Sequence, residues 1–322
     1  MVPVTAIPPL RLRVARKERI ATDVTLFELR DPADRELPPF TPGSHITVTA
    51  PTGQKRRYSL CNAPDERDGY LIAVKAEHNG RGGSLSLVND AAVGDELEVE
   101  PPGNAFEMSR LQPRSYLFIA GGIGITPIRA MIHHLVAEGR TNFKLFYFTR
   151  TPELMAFRDE LSGPTFAGKV VLYHDNGDPD QGYDLWSVLA EPRGAHLYCC
   201  GPRGLMDAVR DMVGHWPETA VHFEDFAGAL RPDVENRPLV VRLARSGDVV
   251  EVPPALSILD ALRKSGRVVP SSCESGTCGT CRTRYLAGTP EHRDLVLSEK
   301  DKATDVMICV SRATSPELTL DL

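Results

Sequence analysis

The stretch CESGTCGTC, residues 273–281, places three cysteines within nine residues of a 322-residue chain that contains only seven cysteines. Their spacing is C-x4-C-x2-C, and a fourth cysteine, Cys309, follows after 27 intervening residues. Glycine and threonine separate the cysteines, so the backbone can wrap tightly and direct amide groups at the sulfur atoms. An odd total of cysteines does not suit a fully paired disulfide framework, and the spacing instead indicates a metal centre.

Two kinds of metal centre compete for this pattern. Structural zinc sites bring their ligands in C-x2-C pairs or together with histidines. Three cysteines in one loop with a distant fourth are the plant-type arrangement of a [2Fe–2S] cluster, which the sequence favours over zinc. The predicted ligands are Cys273, Cys278, Cys281 and Cys309. The other cysteines lie in apolar strands, where free cysteines are most often core residues.

Composition narrows the class of protein. Hydrophobic residues make up 42% and charged residues 25% of the chain, as in ordinary globular proteins. The formal net charge of -6 offers no basic field for nucleic acid. No apolar run approaches the ~18 residues of a membrane span, and the N-terminus lacks the layout of a signal peptide. We therefore expect a cytoplasmic protein with no nucleic-acid or membrane partner.

The first hundred residues favour β structure. Short runs, several of them alternating, are separated by Pro, Gly and Asp turns, with no long helical pattern between them. Their roughly even spacing predicts a small antiparallel barrel. The predicted strands are RLRVARKERI (11–20), VTLFELR (24–30), SHITVTA (44–50), RRYSLCN (56–62), YLIAVKAE (70–77) and DELEVEPP (95–102).

From about residue 110, apolar strands alternate with helical segments. This alternation predicts a doubly wound α/β domain with a parallel sheet, which binds ligands at the carboxyl ends of its strands. The predicted strands are SYLFIAGG (115–122), FKLFYFTR (143–150), KVVLYHDNGD (169–178), HLYCCGP (196–202) and AVHFEDF (220–226). The predicted helical segments are IGITPIRAMIHHLVAEG (123–139), TPELMAFRDELS (151–162) and RGLMDAVRDMVGH (203–215).

A third unit follows a stretch rich in turn-forming residues, AGALRPDVEN. The segment 237–254 predicts two strands around a Ser-Gly-Asp turn, and SILDALRKSG (257–266) predicts a helix before the cysteine loop. The predicted organisation is a β-barrel domain at 1–107, an α/β domain at 108–226, a linker at 227–236 and the cysteine-containing domain at 237–322.

These three units together resemble one known family. Residues 237–322 resemble a plant-type ferredoxin domain with a β-grasp fold. The preceding segments resemble the flavin and pyridine-nucleotide domains of the ferredoxin–NADP reductase superfamily. The order flavin, nucleotide, ferredoxin is similar to that of the phthalate dioxygenase reductase family, which includes vanillate O-demethylase reductases. The resemblance covers essentially the whole chain.

The resemblance implies a flavin site in the barrel. RRYSL (56–60) resembles the family's R-x-Y-S signature, and NGRGGSLS (79–86) resembles the loop that holds the FMN phosphate. FMN rather than FAD is implied by the family alone. A tyrosine offers a flat apolar face, and glycines allow close backbone approach. The residues implied are Arg56, Tyr58, Ser59, Arg81, Gly82, Gly83 and Ser84, with backbone contacts near Val74 and Lys75.

The turn AGGIGITPI (120–128) joins a buried strand to a helix, where amide donors favour pyrophosphate. It is not a strict G-x-G-x-x-G, and a tight turn that needs glycine only for geometry is the alternative. Thr126 is placed to cap the helix. The predicted contacts are Gly121, Gly122, Gly124 and Thr126.

Two later segments resemble the part of the family's site that receives nicotinamide. YCCGPRGLM (198–206) resembles a C-G-P motif and assigns Cys200, Gly201 and Pro202 to this region. HFEDF (222–226) resembles the terminal Glu-x-aromatic pattern, which implies that Phe226 stacks on the flavin with Glu224 nearby. A core phenylalanine is the alternative for Phe226.

The choice between NADH and NADPH rests on conflicting residues. A 2′-phosphate needs an arginine, and Arg150 follows the second predicted α/β strand. A 2′-hydroxyl needs an acid, and Asp175 follows the third. Resemblance to NADH-dependent relatives favours NADH.

The resemblance implies that electrons pass from NADH through FMN to the cluster, and from there to a separate oxygenase component. That partner would be a Rieske-type oxygenase that hydroxylates or demethylates an aromatic acid. A stand-alone NAD(P)H oxidase or quinone reductase with an internal relay is the alternative. A binding module with structural zinc is a further one.

Overall fold

The computed structural model describes most of the chain, in two units that the tertiary contacts separate, Met1–Glu224 and Asp225–Leu322. Within the described residues, no helix has the length and hydropathy that a membrane span requires. Residues 227–235 of the predicted linker lie outside the described part, and the predicted domain boundaries stay predictions. The described residues are 8–78, 80, 82–109, 113–226, 236–271, 276, 279–294 and 296–322.

The first unit begins with an antiparallel barrel, as predicted. Its strands pair in the order β4-β3-β6-β1-β2-β5, and β7 pairs with β3. A bridge between Leu60, directly after β4, and Ile72 of β5 connects the two ends of this path. Alternate residues point inward, so that Ile46 and Val48 of β3 are fully buried. The strands are β1 (Leu10–Ala21), β2 (Val24–Arg30), β3 (Ser44–Thr49), β4 (Lys55–Ser59), β5 (Tyr70–Lys75), β6 (Glu96–Val99) and β7 (Gly103–Asn104).

One element of the barrel domain was not predicted. The glycine-rich segment expected to be a loop over 79–86 becomes helix α1 (Gly83–Asp90) from Gly83 onward. Leu87 of this helix is fully buried in the barrel core, which offsets the poor helix propensity of its glycine and serines. Eight residues are too few for a helical period to stand out in the sequence.

The rest of the first unit is the predicted parallel sheet with helices. The strand order is β10-β9-β8-β11-β12, so the order reverses between β8 and β11. The carboxyl ends of these two strands therefore flank the crevice in which such sheets bind ligands. The elements are β8 (Ser115–Gly121), α2 (Ile125–Ala137), β9 (Phe143–Thr149), α3 (Arg158–Leu161), β10 (Val170–His174), α4 (Trp186–Leu189), β11 (Ala195–Cys200), α5 (Arg203–Met212) and β12 (Val221–Glu224). Short 3-10 turns occupy Gly122–Gly124, Pro152–Leu154, Pro164–Phe166, Pro179–Gln181 and Glu218–Ala220.

The helix predicted over 151–162 is largely wrong. Only a 3-10 turn and the single turn of α3 form there. Between them the chain is extended at Met155 and left-handed at Phe157, where φ is 60°. Met155 and Ala156 are buried in a core that barrel and sheet residues share, so tertiary packing overrides the local helix propensity.

That shared core joins the barrel to the parallel sheet. Val24 and Cys61 of the barrel domain pack in it with Ile125 and Ile128 of α2. The N–H of Thr22 also donates to the carbonyl of Glu153 at 2.9 Å. The two predicted domains of the first unit are therefore held by both apolar contact and hydrogen bonds.

A histidine stack on the sheet predicts how stability depends on pH. His222 of β12 stacks on Tyr198 with ring centroids 4.4 Å apart, and His196 lies 5.5 Å away. Burial, assisted by repulsion from His196, lowers the pKa of His222 to about 4. An unfolded histidine has a pKa of about 6.5. At a pH between about 4 and 6.5, the imidazole of His222 is therefore protonated in the unfolded chain and neutral in the folded chain.

We therefore expect full stability above about pH 6.5 and a loss of about 2 kcal/mol in the free energy of unfolding as the pH falls towards 4. Denaturant unfolding at a series of pH values measures this loss. His222→Phe keeps a ring against Tyr198 and removes the titrating group, so most of the slope should vanish. An unchanged slope in that variant contradicts the assignment.

The second unit is a mixed sheet of β-grasp type with one packed helix. The strand order is β14-β13-β19-β15-β17, with β13 and β19 parallel. The predicted hairpin within 237–254 and the helix within 257–266 are both confirmed. Ser257 caps that helix in a capping box with Asp260. The elements are β13 (Leu239–Leu243), β14 (Val249–Val252), α6 (Ile258–Lys264), β15 (Arg282–Ala287), β16 (Pro290–Glu291), α7 (Glu299–Lys302), β17 (Asp305–Met307), β18 (Arg312–Ala313) and β19 (Glu317–Leu320).

Candidate functional site

The strand β4 and the N-terminus of α1 bring the two predicted flavin motifs together. A Cβ atom placed on Gly83 would lie 2.7 Å from Nε of Arg56 and 2.9 Å from its Cγ, so a larger residue here would displace this arginine from the helix end. Gly82 adopts a left-handed conformation with φ 83° and starts the helix. The hydroxyl of Ser84 accepts a hydrogen bond from the N–H of Glu77 at 3.1 Å. A guanidinium beside the amide groups of a helix N-terminus suits a phosphate.

Arg81, which was also predicted here, lies outside the described residues. A contact that was not predicted involves Gln54, whose side-chain oxygen accepts a hydrogen bond from Arg56. Residues two apart in an extended chain share a face, so inspecting the residues upstream of the RRYSL motif with this period would have found Gln54.

Tyr58 tests whether these residues fit a flavin. Its hydroxyl is buried and, among the described residues, has no hydrogen-bond partner. Burial raises the pKa of Tyr58 to about 12, although Arg56 opposes the shift. A buried hydroxyl without a partner is costly, so this group is poised to bond with a bound molecule. Ser59, the next residue of the motif, is 5% exposed. The residues present therefore fit the polar edge of a flavin ring.

Strand β5 offers backbone groups along its edge towards β4. The N–H of Ala76 donates to the carbonyl of Asp23 on the β2 side, whereas the carbonyl of Leu71 accepts from Cys61 on the β4 side. Backbone groups alternate between the two edges of a strand, so Lys75 directs its groups towards the β4 side and Val74 towards β2. Of these two predicted positions, Lys75 is thus the one placed to contact a ligand through its backbone.

The two glycine motifs of the α/β domain meet at the crevice between β8 and β11. A Cβ atom on Gly124 would lie 2.2 Å from the carbonyl oxygen of Cys200, and one on Gly201 would lie 2.8 Å from the amide nitrogen of Gly121. Pro202 closes the same contact, since a Cβ on Gly121 would lie 2.5 Å from its ring. Gly122 has a φ of 53°, in the left-handed region. Glycine is required here for close approach of two backbones, as well as for turn geometry.

Thr126 does not cap the helix as predicted. The residue before α2 is Gly124, with no side-chain cap, and the hydroxyl of Thr126 donates to the carbonyl of Ile123 at 3.0 Å. The 3-10 turn at Gly122–Gly124 moves the helix start back, so that Thr126 already lies inside the first turn. Its hydroxyl therefore stabilises the turn, and the amide groups of the helix end remain for a ligand.

The predicted nicotinamide region lies at the same edge of the sheet. Cys200 pairs with Glu224 across β11 and β12, and both residues are buried. Cys199 packs in the core on the opposite face of the sheet from Cys200. Phe226 follows β12 and is 45% exposed, which excludes the alternative of a core phenylalanine. Phe226 belongs to the second unit, and its stacking on the flavin stays a prediction.

The cysteine ligands that the structure describes lie at one end of a strand pair. Cys281 directly precedes β15 and Cys309 follows β17, and Arg282 pairs with Met307 across these strands. Each cysteine is 2% exposed. Gly276 and Gly279 both have a φ of 79°, and a Cβ on Gly276 would lie 2.7 Å from Val310. Cys273 and Cys278 lie outside the described residues. Two buried thiols at the same end of paired strands fit the predicted cluster.

Comparison with known proteins identifies all three regions. Residues 11–108 match the oxidoreductase FAD-binding domain, residues 118–211 the oxidoreductase NAD-binding domain and residues 241–314 the 2Fe-2S iron-sulfur cluster binding domain. The phthalate dioxygenase reductase of Burkholderia cepacia is 51% identical over 97% of both chains. The chain belongs to the phthalate dioxygenase reductase family. It is an iron–sulfur flavoprotein oxidoreductase with a flavin-binding domain, a nicotinamide-nucleotide-binding domain and a [2Fe–2S] domain.

Two further matches within this similarity are informative. A solved phthalate dioxygenase reductase, described as a modular structure for electron transfer from pyridine nucleotides to [2Fe-2S], has 50% identity and a TM-score of 0.82, covering 98% of both chains. The tetrachlorobenzoquinone reductase of Sphingobium chlorophenolicum is 39% identical and covers 97% of both chains. The phthalate dioxygenase reductase fold thus accounts for the predicted flavin, nucleotide and ferredoxin domains.

In this member of the phthalate dioxygenase reductase family, the two residues predicted to bear on nucleotide choice are neighbours. Arg150 and Asp175 follow the adjacent strands β9 and β10, and the N–H of Asn176 donates to the carbonyl of Arg150 at 2.8 Å. Arg150 is exposed, whereas Asp175 is partly buried and accepts a hydrogen bond from the N–H of Gly177. Asp175 is therefore held by its turn with one oxygen remaining for a ribose hydroxyl.

Asp175→Asn keeps that turn bond and removes the charge. We expect kcat/KM for NADH to fall about tenfold relative to NADPH, because the acceptor for a 2′-hydroxyl weakens and repulsion of a 2′-phosphate disappears. Steady-state kinetics with both nucleotides measure this ratio. The neighbouring change Arg150→Ala should leave NADH use unaffected. An equal effect of Asp175→Asn on both nucleotides would remove Asp175 from the specificity site.

Proposed function

We propose that this chain is the reductase component of a two-component Rieske-type aromatic oxygenase or O-demethylase, taking electrons from NADH. The observation that carries the proposal is the shared core of the first unit. Because this core packs the barrel against the parallel sheet, the predicted phosphate site at Arg56 and Gly83 and the crevice at Gly124 and Cys200 keep fixed positions relative to each other. Hydride transfer requires such fixed relative positions, because the reacting atoms must approach to about 3–3.5 Å.

A bound FMN would supply the conversion between the two-electron hydride chemistry of nicotinamide and the one-electron chemistry of the [2Fe–2S] cluster. The residues of this chain bind and orient. Arg56 and the N-terminus of α1 hold the phosphate, and Tyr58 donates its hydroxyl to the ring. The glycine turn before α2 binds pyrophosphate, while Cys200 and Glu224 line the place where nicotinamide approaches.

The resemblance assigns Phe226 to the flavin face, and Cys273, Cys278, Cys281 and Cys309 would hold the cluster. Asp175 favours NADH over NADPH. The acceptor is a separate oxygenase of Rieske type that acts on an aromatic acid, which the similarity to phthalate dioxygenase reductases supports. A cytoplasmic location fits this role and stays a prediction.

Electron paramagnetic resonance on anaerobically purified protein tests the relay. Addition of NADH alone should bleach the flavin absorbance and produce a rhombic [2Fe–2S] signal in the same sample. Titration with purified oxygenase should then abolish the signal by reoxidation. Bleached flavin without a cluster signal would contradict the relay.

The alternative of a stand-alone quinone reductase is supported by one relative. The tetrachlorobenzoquinone reductase matches along almost the whole chain. A relative with the same architecture is thus named for a small-molecule electron acceptor. In that case turnover with a substituted benzoquinone would greatly exceed turnover with any Rieske oxygenase. Parallel steady-state assays with both acceptors distinguish the two functions.

A further inference from the structure

One arginine connects the flavin motif to the nucleotide-binding helix. Arg129 lies on α2, five residues after Gly124, and its side chain is 13% exposed. Its Nη1 donates a hydrogen bond to the carbonyl oxygen of Cys61, which belongs to the barrel domain. Cys61 follows Ser59 of the flavin strand by two residues. A single guanidinium thus links the residue two positions after the flavin strand to the helix that follows the glycine turn.

Hydrogen bonds on both sides of the Cys61 carbonyl restrain the backbone at this position. The N–H of Cys61 donates to the carbonyl of Leu71 at 2.9 Å, and its thiol lies 3.3 Å from the same oxygen. The side chain of Asn62 fixes the next residue, accepting from the N–H of Leu71 and donating to the carbonyls of Glu66 and Gly69. A bond to this point therefore restrains the strand that carries Tyr58 and Ser59.

The rest of the guanidinium is held by Glu160 and Phe157. Glu160 of α3 accepts from its Nε at 3.0 Å and from its Nη2 at 2.9 Å. The ring of Phe157 lies 4.7 Å from Cζ. His133, one turn further along α2, contacts the second oxygen of Glu160. Burial raises the pKa of Glu160, but bonds from His133 and Arg129 outweigh it and lower the pKa, so the carboxylate stays charged.

The left-handed residue at which the predicted helix over 151–162 is broken belongs to this cluster. Phe157 adopts a φ of 60°, which is rare for a bulky residue, and thereby presents its ring to Arg129 while α3 starts afresh and presents Glu160. Residues three apart lie on one side of a helix turn, so Phe157 at the start of α3 and Glu160 within it both face Arg129. A strained residue that persists beside a functional site points to a role there.

We infer that Arg129 is a positioning residue for hydride transfer, holding the flavin strand and the nucleotide helix at the separation the reaction needs. The inference rests on the proposed function. Arg129 touches neither substrate nor cofactor in this assignment and acts through the Cys61 carbonyl and α2. Misplacement of reacting groups by about 1 Å can cost about 100-fold in rate, whereas binding of the separate halves of the site is little affected.

The experiment uses Arg129→Ala and Arg129→Lys, with Arg140→Ala as the matched control. Arg140 follows the same helix, contacts Tyr116 by a hydrogen bond of 2.8 Å and lies 4.9 Å from that ring, all within the α/β domain. The Arg140→Ala variant therefore also loses a partly buried arginine that packs on an aromatic ring, but it loses no contact with the barrel domain. Lysine at 129 keeps the charge but cannot bond Glu160 and Cys61 with one planar fork.

The holoenzyme is mixed anaerobically with NADH in a stopped-flow instrument, and the limiting rate of flavin bleaching is measured. A second readout is the long-wavelength charge-transfer absorbance of reduced enzyme with NAD⁺, which reports ring stacking without turnover. We expect the limiting rate to fall about 10- to 100-fold in Arg129→Ala, with a smaller fall in Arg129→Lys. The charge-transfer band should weaken in the same order, while FMN content and the Kd for NAD⁺ stay near wild type.

Arg140→Ala should keep the wild-type rate and band even where its melting temperature falls as far as that of Arg129→Ala. Unchanged rate and band in both Arg129 variants would overturn the inference, as would equal slowing in Arg140→Ala. Should Arg129→Ala fail to fold, Arg129→Lys decides by the same criteria. Failure of NADH to bleach the wild-type flavin is a different result, because it refutes the proposed function itself.

Discussion

Gly124→Ala is expected to reduce the rate of flavin reduction by NADH at least about 100-fold. The added Cβ would lie 2.2 Å from the carbonyl oxygen of Cys200, 2.4 Å from its carbon and 2.8 Å from the nitrogen of Gly201. All three atoms are backbone, so no side chain can rotate away. The two loops must separate, and the pyrophosphate and nicotinamide positions separate with them.

The predicted flavin site shows that the expected loss is specific to the reaction with NADH. Arg56 and Gly83 lie in the barrel domain and not in either loop, so FMN content and reduction of the flavin by dithionite should be unchanged. Stopped-flow bleaching with NADH measures the loss, and a large rise in the apparent Kd for NAD⁺ should accompany it.

Gly204→Ala is the matched control, because no atom lies within 4 Å of its added Cβ and α5 accepts alanine readily. Its rate should equal that of the wild type. A Gly124→Ala enzyme that bleaches at the wild-type rate would show that close approach of the loops is dispensable.

The contact of these two loops shows where prediction from sequence succeeds. Periodicity and turn residues predicted the barrel, the parallel sheet, and the hairpin and helix of the third unit, because buried strands and their glycine turns are local properties of the chain. The β-grasp fold of that unit was implied by the resemblance to plant-type ferredoxins. The motif at 121–124 and the motif at 200–202 were each weak alone. The strand order brings them together, since β8 and β11 are neighbours despite lying about 80 residues apart in the sequence.

The errors arose where distant residues decide local structure. The segment 151–162 has helix-forming residues, but burial of Met155 and Ala156 against the barrel and the arginine cluster at Phe157 interrupts it. Helix α1 has poor propensity and exists because Leu87 fills the barrel core. Arg129 carried no signal either, because its partner is a backbone carbonyl, which any residue supplies. Tertiary packing overrides propensity in each case.

Cys309→Ser is expected to eliminate the cluster while leaving the hydride step intact. Serine supplies no thiolate to iron at neutral pH, so the visible absorbance of the cluster and its rhombic resonance signal should both disappear. The flavin site lies in the first unit and Cys309 in the second, so flavin bleaching by NADH should proceed at the wild-type rate. Electron delivery to the oxygenase should fall to background, because the single-electron path ends at FMN.

Cys199→Ala is the control for loss of a buried cysteine. Cys199 is fully buried like Cys309 but packs behind the parallel sheet, and burial raises the pKa of its thiol well above the usual range. Alanine there should cost about 1 kcal/mol in the free energy of unfolding and retain cluster and activity. Iron and acid-labile sulfide analysis completes the comparison. An intact [2Fe–2S] signal in Cys309→Ser would show that Cys309 is not a cluster ligand. Zinc without iron in the wild-type protein would show that the cysteines hold a structural zinc ion instead of a cluster.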